Sequence, residues 1–219
     1  ALADAMELFR PYAEAGREIV CFSISAGMST SGNVMRLAAE ELGASDRIKV
    51  IDSANLSTGI GLLVIEAAIM AKNNRTASQI VSEIEKLKPN VRASFVVDTL
   101  TYLYRGGRCN AVAAMAGGVL KLHPRIVVED GAMNASKKYR GKIASVVMNY
   151  VKDMEKDLKK ARPERVFITH SGCEQETVEK VRAYLKELDI FDEILETRAG
   201  GVVSSHCGPG TLGVLYIAK

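Results

Sequence analysis

The spacing of apolar and polar residues along the chain changes several times, and each change marks an element. Ala1 to Gly16 sets Met6, Leu8, Phe9 and Tyr12 among charges, which reads as a helix. Val20–Ile24 favours a strand, and Ser29 or Thr30 can cap the helix after it, which runs to about Leu42 and ends at Gly43. A short apolar strand, Ile48–Ile51, is followed by a helix of small and apolar residues from Ser57 to Lys72. Thr76–Ser78 caps another helix to Leu87, closed by Pro89. Strand and helix alternate up to this point, the signature of a parallel sheet with helices on its faces.

Beyond Pro89 the rhythm changes. Ser94–Val97 reads as a strand, Asp98-Thr99 opens a short helix through Leu103, and Gly106-Gly107 ends it. Asn110–Leu120 is small, apolar and helical in pattern. Pro124–Val128 and Ala132–Ala135, joined by Glu129-Asp130-Gly131, predict a hairpin, because Asp-Gly is a strong turn signal. One long amphipathic helix is expected over Lys142–Lys160, then a strand at Val166–Ile168 and a helix over Glu174–Leu188. Glu193–Thr197, Val202–His206 and Leu212–Ile217 are expected as three closing strands. The fold class is therefore α/β in two domains. A parallel-sheet α/β/α domain over 1–91 precedes a mixed-sheet domain over 92–219. A parallel α/β domain normally opens with a strand, and there is no initiator Met, so a native N-terminal segment is expected to be missing.

Composition narrows the function. The apolar share of 47% and charged share of 25% are those of an ordinary soluble globular protein. A net charge of +3 is too small to argue for nucleic acid, and without Trp there is no aromatic–basic platform. No apolar run approaches the roughly 18 residues that a membrane span needs, and no signal peptide is visible. Cys21, Cys109, Cys173 and Cys207 lie far apart with no metal spacing, and read as reduced thiols of a cytoplasmic protein. No metal or cofactor is expected.

The candidate chemistry starts at the turn Ser25-Ala26-Gly27-Met28-Ser29-Thr30-Ser31-Gly32. A strand entering a helix through such a turn leaves the first N–H groups open at the positive end of the helix dipole, a site for an anionic head group. Gly208-Pro209-Gly210-Thr211-Leu212-Gly213 matches the dinucleotide pattern, but only six residues follow it and they prefer a strand. A tight turn between two strands is the better reading. His206, at a strand-to-glycine corner after Ser204-Ser205, is either structural or functional on spacing alone. His170 also ends a predicted strand, and His123 before Pro124 reads as a loop residue. Cys207 beside His206 would point away from it on an extended chain, so Cys207 and Cys109 read as inert thiols. Arg105 and Arg108 flank Gly106-Gly107, and Lys137-Lys138-Tyr139-Arg140-Gly141-Lys142 is densely cationic. These cations are a solvated face or a receiver of phosphate or an acidic partner. Asp52-Ser53 and Asp98-Thr99 read as helix caps.

Taken in order, several stretches are similar to one family. They are Ile24-Ser25-Ala26-Gly27-Met28-Ser29, Val50-Ile51-Asp52-Ser53, Val97-Asp98-Thr99-Leu100, Arg105-Gly106-Gly107-Arg108, Lys121-Leu122-His123-Pro124, Lys138-Tyr139-Arg140-Gly141-Lys142 and His206-Cys207-Gly208-Pro209-Gly210. The chain resembles the DegV family of bacterial fatty acid-binding proteins over nearly its whole length. The resemblance implies a two-domain fold holding a long-chain fatty acid in an apolar tunnel, with its carboxylate bound by a serine, here Ser29 with Ser25 as the alternative, and near His206. It implies roles for Arg108 and Arg140 near the head group or at a partner contact. It further implies a non-catalytic subunit that presents the acid to an ATP-binding fatty acid kinase subunit, which makes an acyl phosphate for phospholipid synthesis. The chain departs from the family pattern in having Ser29-Thr30-Ser31-Gly32 where Ser-Gly-Thr-Tyr is usual, and it has no counterpart of the N-terminal segment that carries the family's carboxylate-binding threonine. Two other readings stay open. One is a stand-alone small-molecule enzyme using His206 with Arg108 and Arg140. The other is a lipid sensor without a kinase partner.

Overall fold

The structure, a computed structural model, describes residues 1–107 and 122–219. The helix expected over Asn110–Leu120, together with Arg108 and Cys109, lies outside the described residues. The described residues form two compact units: Ala1–Leu56 with Ile60–Pro89, and Ser57–Gly59 with Asn90–Lys219.

In the first unit, helix α1 (Leu2–Glu14) precedes strand β1 (Ile19–Ser23), helix α2 (Ser31–Glu41) and strand β2 (Ile48–Asp52). Helix α3 (Thr58–Lys72) and helix α4 (Ala77–Leu87) follow. β1 and β2 pair in parallel from Ile19↔Ile48 to Ser23↔Asp52. Phe9 and Ala13 of α1 meet Ala38 and Ala39 of α2 in a core with Ala44 and Ile48. The alanines there let the helices approach closely. α4 starts on a full capping box, with the Thr76 side chain accepting from the Gln79 N–H and the Gln79 side chain accepting from the Thr76 N–H.

The second unit is built on a six-stranded sheet. Its strands are β3 (Val91–Val96), β4 (Leu122–Glu129), β5 (Ala132–Arg140), β6 (Ala161–Ser171), β7 (Glu193–Arg198) and β8 (Thr211–Ala218), in the order β5-β4-β3-β8-β6-β7. β8 runs antiparallel to both β3 and β6, and β6 and β7 are parallel, so the sheet is mixed. The β4–β5 hairpin turns on Asp130 and Gly131, both at positive φ (49° and 75°), the geometry that Asp-Gly favours. The helices are α5 (Thr101–Gly106), α6 (Ile143–Asp153), α7 (Glu155–Leu158), α8 (Gln175–Glu187) and α9 (Gly201–Cys207).

One face of this sheet carries Val96, Val166, Ile168, Leu212, Val214 and Tyr216, packed on Val146, Tyr150, Val151, Leu158, Val178 and Leu185 of the helices α6 to α8. The alternate strand positions Phe95, Phe167, Leu215 and Ile217 point to the opposite face and are buried as well. Tyr150 ties α6 into the sheet. Its hydroxyl donates to the Ser94 carbonyl at 2.7 Å and accepts the Val214 N–H at 3.0 Å.

Four expectations are corrected. Residues 202–206 are helical, not a strand. Gly200 caps the helix, the Ser204 N–H bonds back to its carbonyl at 2.9 Å, and the Ser204 and Ser205 hydroxyls donate to the carbonyls of Ala199 and Val202. These local bonds outweigh the strand preference of Val202 and Val203. The glycine-rich turn at 208–210 therefore joins a helix to a strand. The helix expected over 142–160 is two, because the Met154 N–H bonds to Val151 and the ladder tightens there. His123 lies in β4, not in a loop. Pro124 is tolerated beside it because β4 pairs with β3 only from Arg125 onward.

Candidate functional site

The turn between β1 and α2 is held from both sides. The Ser25 N–H donates to the Asn55 carbonyl at 2.9 Å, and the Ser25 carbonyl accepts the N–H groups of Met28 (2.9 Å) and Ser29 (3.1 Å). The Ser25 hydroxyl is buried and accepts the Gly27 N–H at 3.1 Å. Asp52 does not cap α3. Its carboxylate accepts the Ala26 N–H, 3.3 Å from each oxygen, and the Ala54 N–H at 2.9 Å. A residue that the local pattern marks as a helix cap thus braces the turn. Its place at the end of β2, beside the end of β1, was the available signal. Asp98-Thr99 is closer to expectation, since the Thr99 hydroxyl accepts the Thr101 N–H at the start of α5.

Ser29 is half-buried, and its hydroxyl sits 2.7 Å from the Ser31 hydroxyl and accepts the Ser31 N–H at 3.2 Å. Thr30 takes the N-cap position of α2 without a side-chain bond. The displaced glycine has a structural reason. A Cβ on Gly32 would stand 2.7 Å from the Ser23 hydroxyl, so the first turn of α2 lies directly against β1. Two hydroxyls and the N-terminal end of a helix of 11 residues therefore gather at one turn, an arrangement suited to a carboxylate or phosphate.

In the second unit, the glycine motifs seat each other's rings. A Cβ on Gly106 would overlap the His206 ring, and a Cβ on Gly208 would overlap the Tyr102 ring. α5 and α9 interlock through these two contacts, which leave His206 half-buried. Arg140 is exposed at the end of β5. His170 is buried instead. Its Nε2 lies 3.3 Å from Glu196 and its Nδ1 accepts the Cys173 N–H, which makes it part of the framework.

Among the described residues, the cysteines are poor nucleophiles. Burial pushes the thiols of Cys21 and Cys173 up to about 11, and Cys207 is buried. Among the described residues no three His, Cys, Asp or Glu side chains gather as a metal site would require.

A sequence model of the DegV family matches residues 1–219. This chain belongs to the DegV family. A DegV domain-containing protein of Clostridium perfringens is 32% identical over 216 residues, which cover 97% of this chain and 74% of the relative. One from Deinococcus radiodurans is 32% identical over 212 residues, covering 95% and 74%. A DegV family protein from Thermus thermophilus, described for its fatty acid binding, superposes with a TM-score of 0.89 at 25% identity, over 100% of this chain and 77% of that one. A DegV family protein from Eubacterium eligens loaded with heptadecanoic acid shares the fold, with a TM-score of 0.84 at 20% identity over 100% and 78%. The mixed α/β architecture described above is thus the DegV fold. Among the described residues, no helix is long and apolar enough to cross a membrane.

Proposed function

We propose that this DegV chain binds a long-chain fatty acid, with the acyl tail in an apolar tunnel and the carboxylate at the Ser29 turn and near His206. It then presents that carboxylate to an ATP-binding kinase subunit, which converts it to an acyl phosphate. The observation that carries this reading is the likeness, over the whole chain, to the fatty acid-binding DegV protein of Thermus thermophilus. The chemistry of the turn supports it. Ser29 is half-buried while the Ser25 hydroxyl is buried and closes the turn, which favours Ser29 over Ser25 as the ligand contact. Arg140, with Arg108, supplies cationic groups for the head group or for the kinase.

In this scheme the chain needs no nucleophile of its own. The fatty acid carboxylate attacks the terminal phosphorus of a nucleoside triphosphate held by the partner, the bond to the bridging oxygen breaks, and the nucleoside diphosphate leaves; a divalent cation on the partner would neutralise the developing charge. The chain's own residues hold one carboxylate oxygen in line for transfer.

Native mass spectrometry of the folded protein tests the first step, with one acyl chain per protein as the expected mass excess. Folded protein that carries no lipid and takes up none when mixed with oleate would overturn it. The second step is tested by S29A combined with H206A, which should reduce acyl phosphate formation more than lipid loading. Unchanged turnover in that variant would remove both residues from the head-group role.

A further inference from the structure

His123 takes no part in the reading above, yet its surroundings are specific. It is 4% exposed in the second unit. Its Nε2 lies 3.0 Å from the Gly141 carbonyl oxygen, and its Nδ1 lies 3.3 Å from the Val97 carbonyl oxygen and 3.5 Å from a carboxylate oxygen of Asp98. Every one of these neighbours is an acceptor. The ring thus stands between two segments of the second unit, with one nitrogen toward each.

The oxygens belong to two turns that lead to candidate site residues. Val97 and Asp98 connect β3 to α5, and α5 carries Gly106, on which the His206 ring rests. Asp98 also lies against the turn after α9, its Cβ 3.5 Å from the Cβ position of Gly210. Gly141 directly follows Arg140. We propose that His123 is a positioning residue that holds the Arg140 turn and the His206 helix in one arrangement for an anionic head group. This rests on the fatty acid reading, and the experiment separates the two.

The experiment compares the affinity of oleate with that of methyl oleate, which keeps the tail and removes the charge. Wild type should prefer oleate, and H123Q should narrow that preference by about tenfold, the share that one charge-assisted hydrogen bond commonly carries. H123N, whose shorter amide cannot reach both turns, should narrow it as well. Equal affinity of wild type for both probes overturns the head-group reading and the positioning role with it. An oleate preference that H123Q leaves intact overturns the positioning role alone. Should H123Q fail to fold, H123N decides by the same comparison.

Discussion

Gly106 and Gly208 matter for the space they leave. Each accepts an aromatic ring where a methyl group would stand, so the cost of filling that space can be traced to a single partner. Gly106→Ala should destabilise the fold by about 1–3 kcal/mol through overpacking against His206. In a His206→Ala background the same change should cost markedly less, and a double-mutant cycle by urea denaturation measures the difference. An undiminished cost would mean that the glycine serves α5 itself. Thiol and phenol groups give a second residue-level expectation. Burial raises Cys21 and Cys173 from the ordinary 9.0 to about 11, and Tyr216 from 10.0 to about 12. Each therefore keeps its proton in the folded chain at a pH where the unfolded chain has lost it. Their contribution to stability is full below pH 9 and is lost as pH rises, over 9 to 11 for the thiols and 10 to 12 for the phenol. Urea midpoints should fall as pH rises from 9.0 to about 11, and Cys173→Ala should flatten that fall.

The elements show what local pattern can and cannot reveal. Tyr150 sits in α6 at a position that periodicity marks as core, but its hydroxyl links β3 to β8. Tyr150→Phe should cost about 1–3 kcal/mol, because the buried Ser94 carbonyl and Val214 N–H would each lose a partner. Hydrogen exchange at Val214 should rise with it, and exchange that stays at the wild-type rate would argue against the bridge. That role was not legible in the sequence, since it depends on the register of two strands more than a hundred residues apart. The strands β1 and β2, the hairpin turn at Asp130-Gly131 and the helix cap at Thr76 were legible, because each rests on short-range chemistry. Residues 202–206 misled for the same reason. Two valines outweigh two serines on propensity, whereas Gly200 and the back-bonding hydroxyls decide the conformation. At the site, the Ser turn stood out as a strand-to-helix junction. Asp52 bracing that turn and His123 bridging two others did not, because both act across parallel or distant segments.

At the scale of the whole molecule, the proposed ligand divides the energetics between tail and head. About a dozen buried methylenes at ~0.8 kcal/mol each give on the order of 10 kcal/mol before ordering costs. A carboxylate at a helix N-terminus contributes roughly 0.3–2 kcal/mol. The tail should therefore set affinity and the head should set orientation. Shortening a saturated fatty acid by two methylenes should weaken binding by about tenfold, while Ser29→Ala should weaken it no more than about tenfold at any chain length. Isothermal titration across an acyl series, with wild type and S29A side by side, reads both slopes at once. Parallel lines displaced by a constant offset are the expected result, since the head contact is independent of how far the tail reaches. Affinity that ignores chain length would place the acid outside an apolar tunnel. A slope that changes with S29A would mean that the Ser turn shapes the tail site as well as the head site.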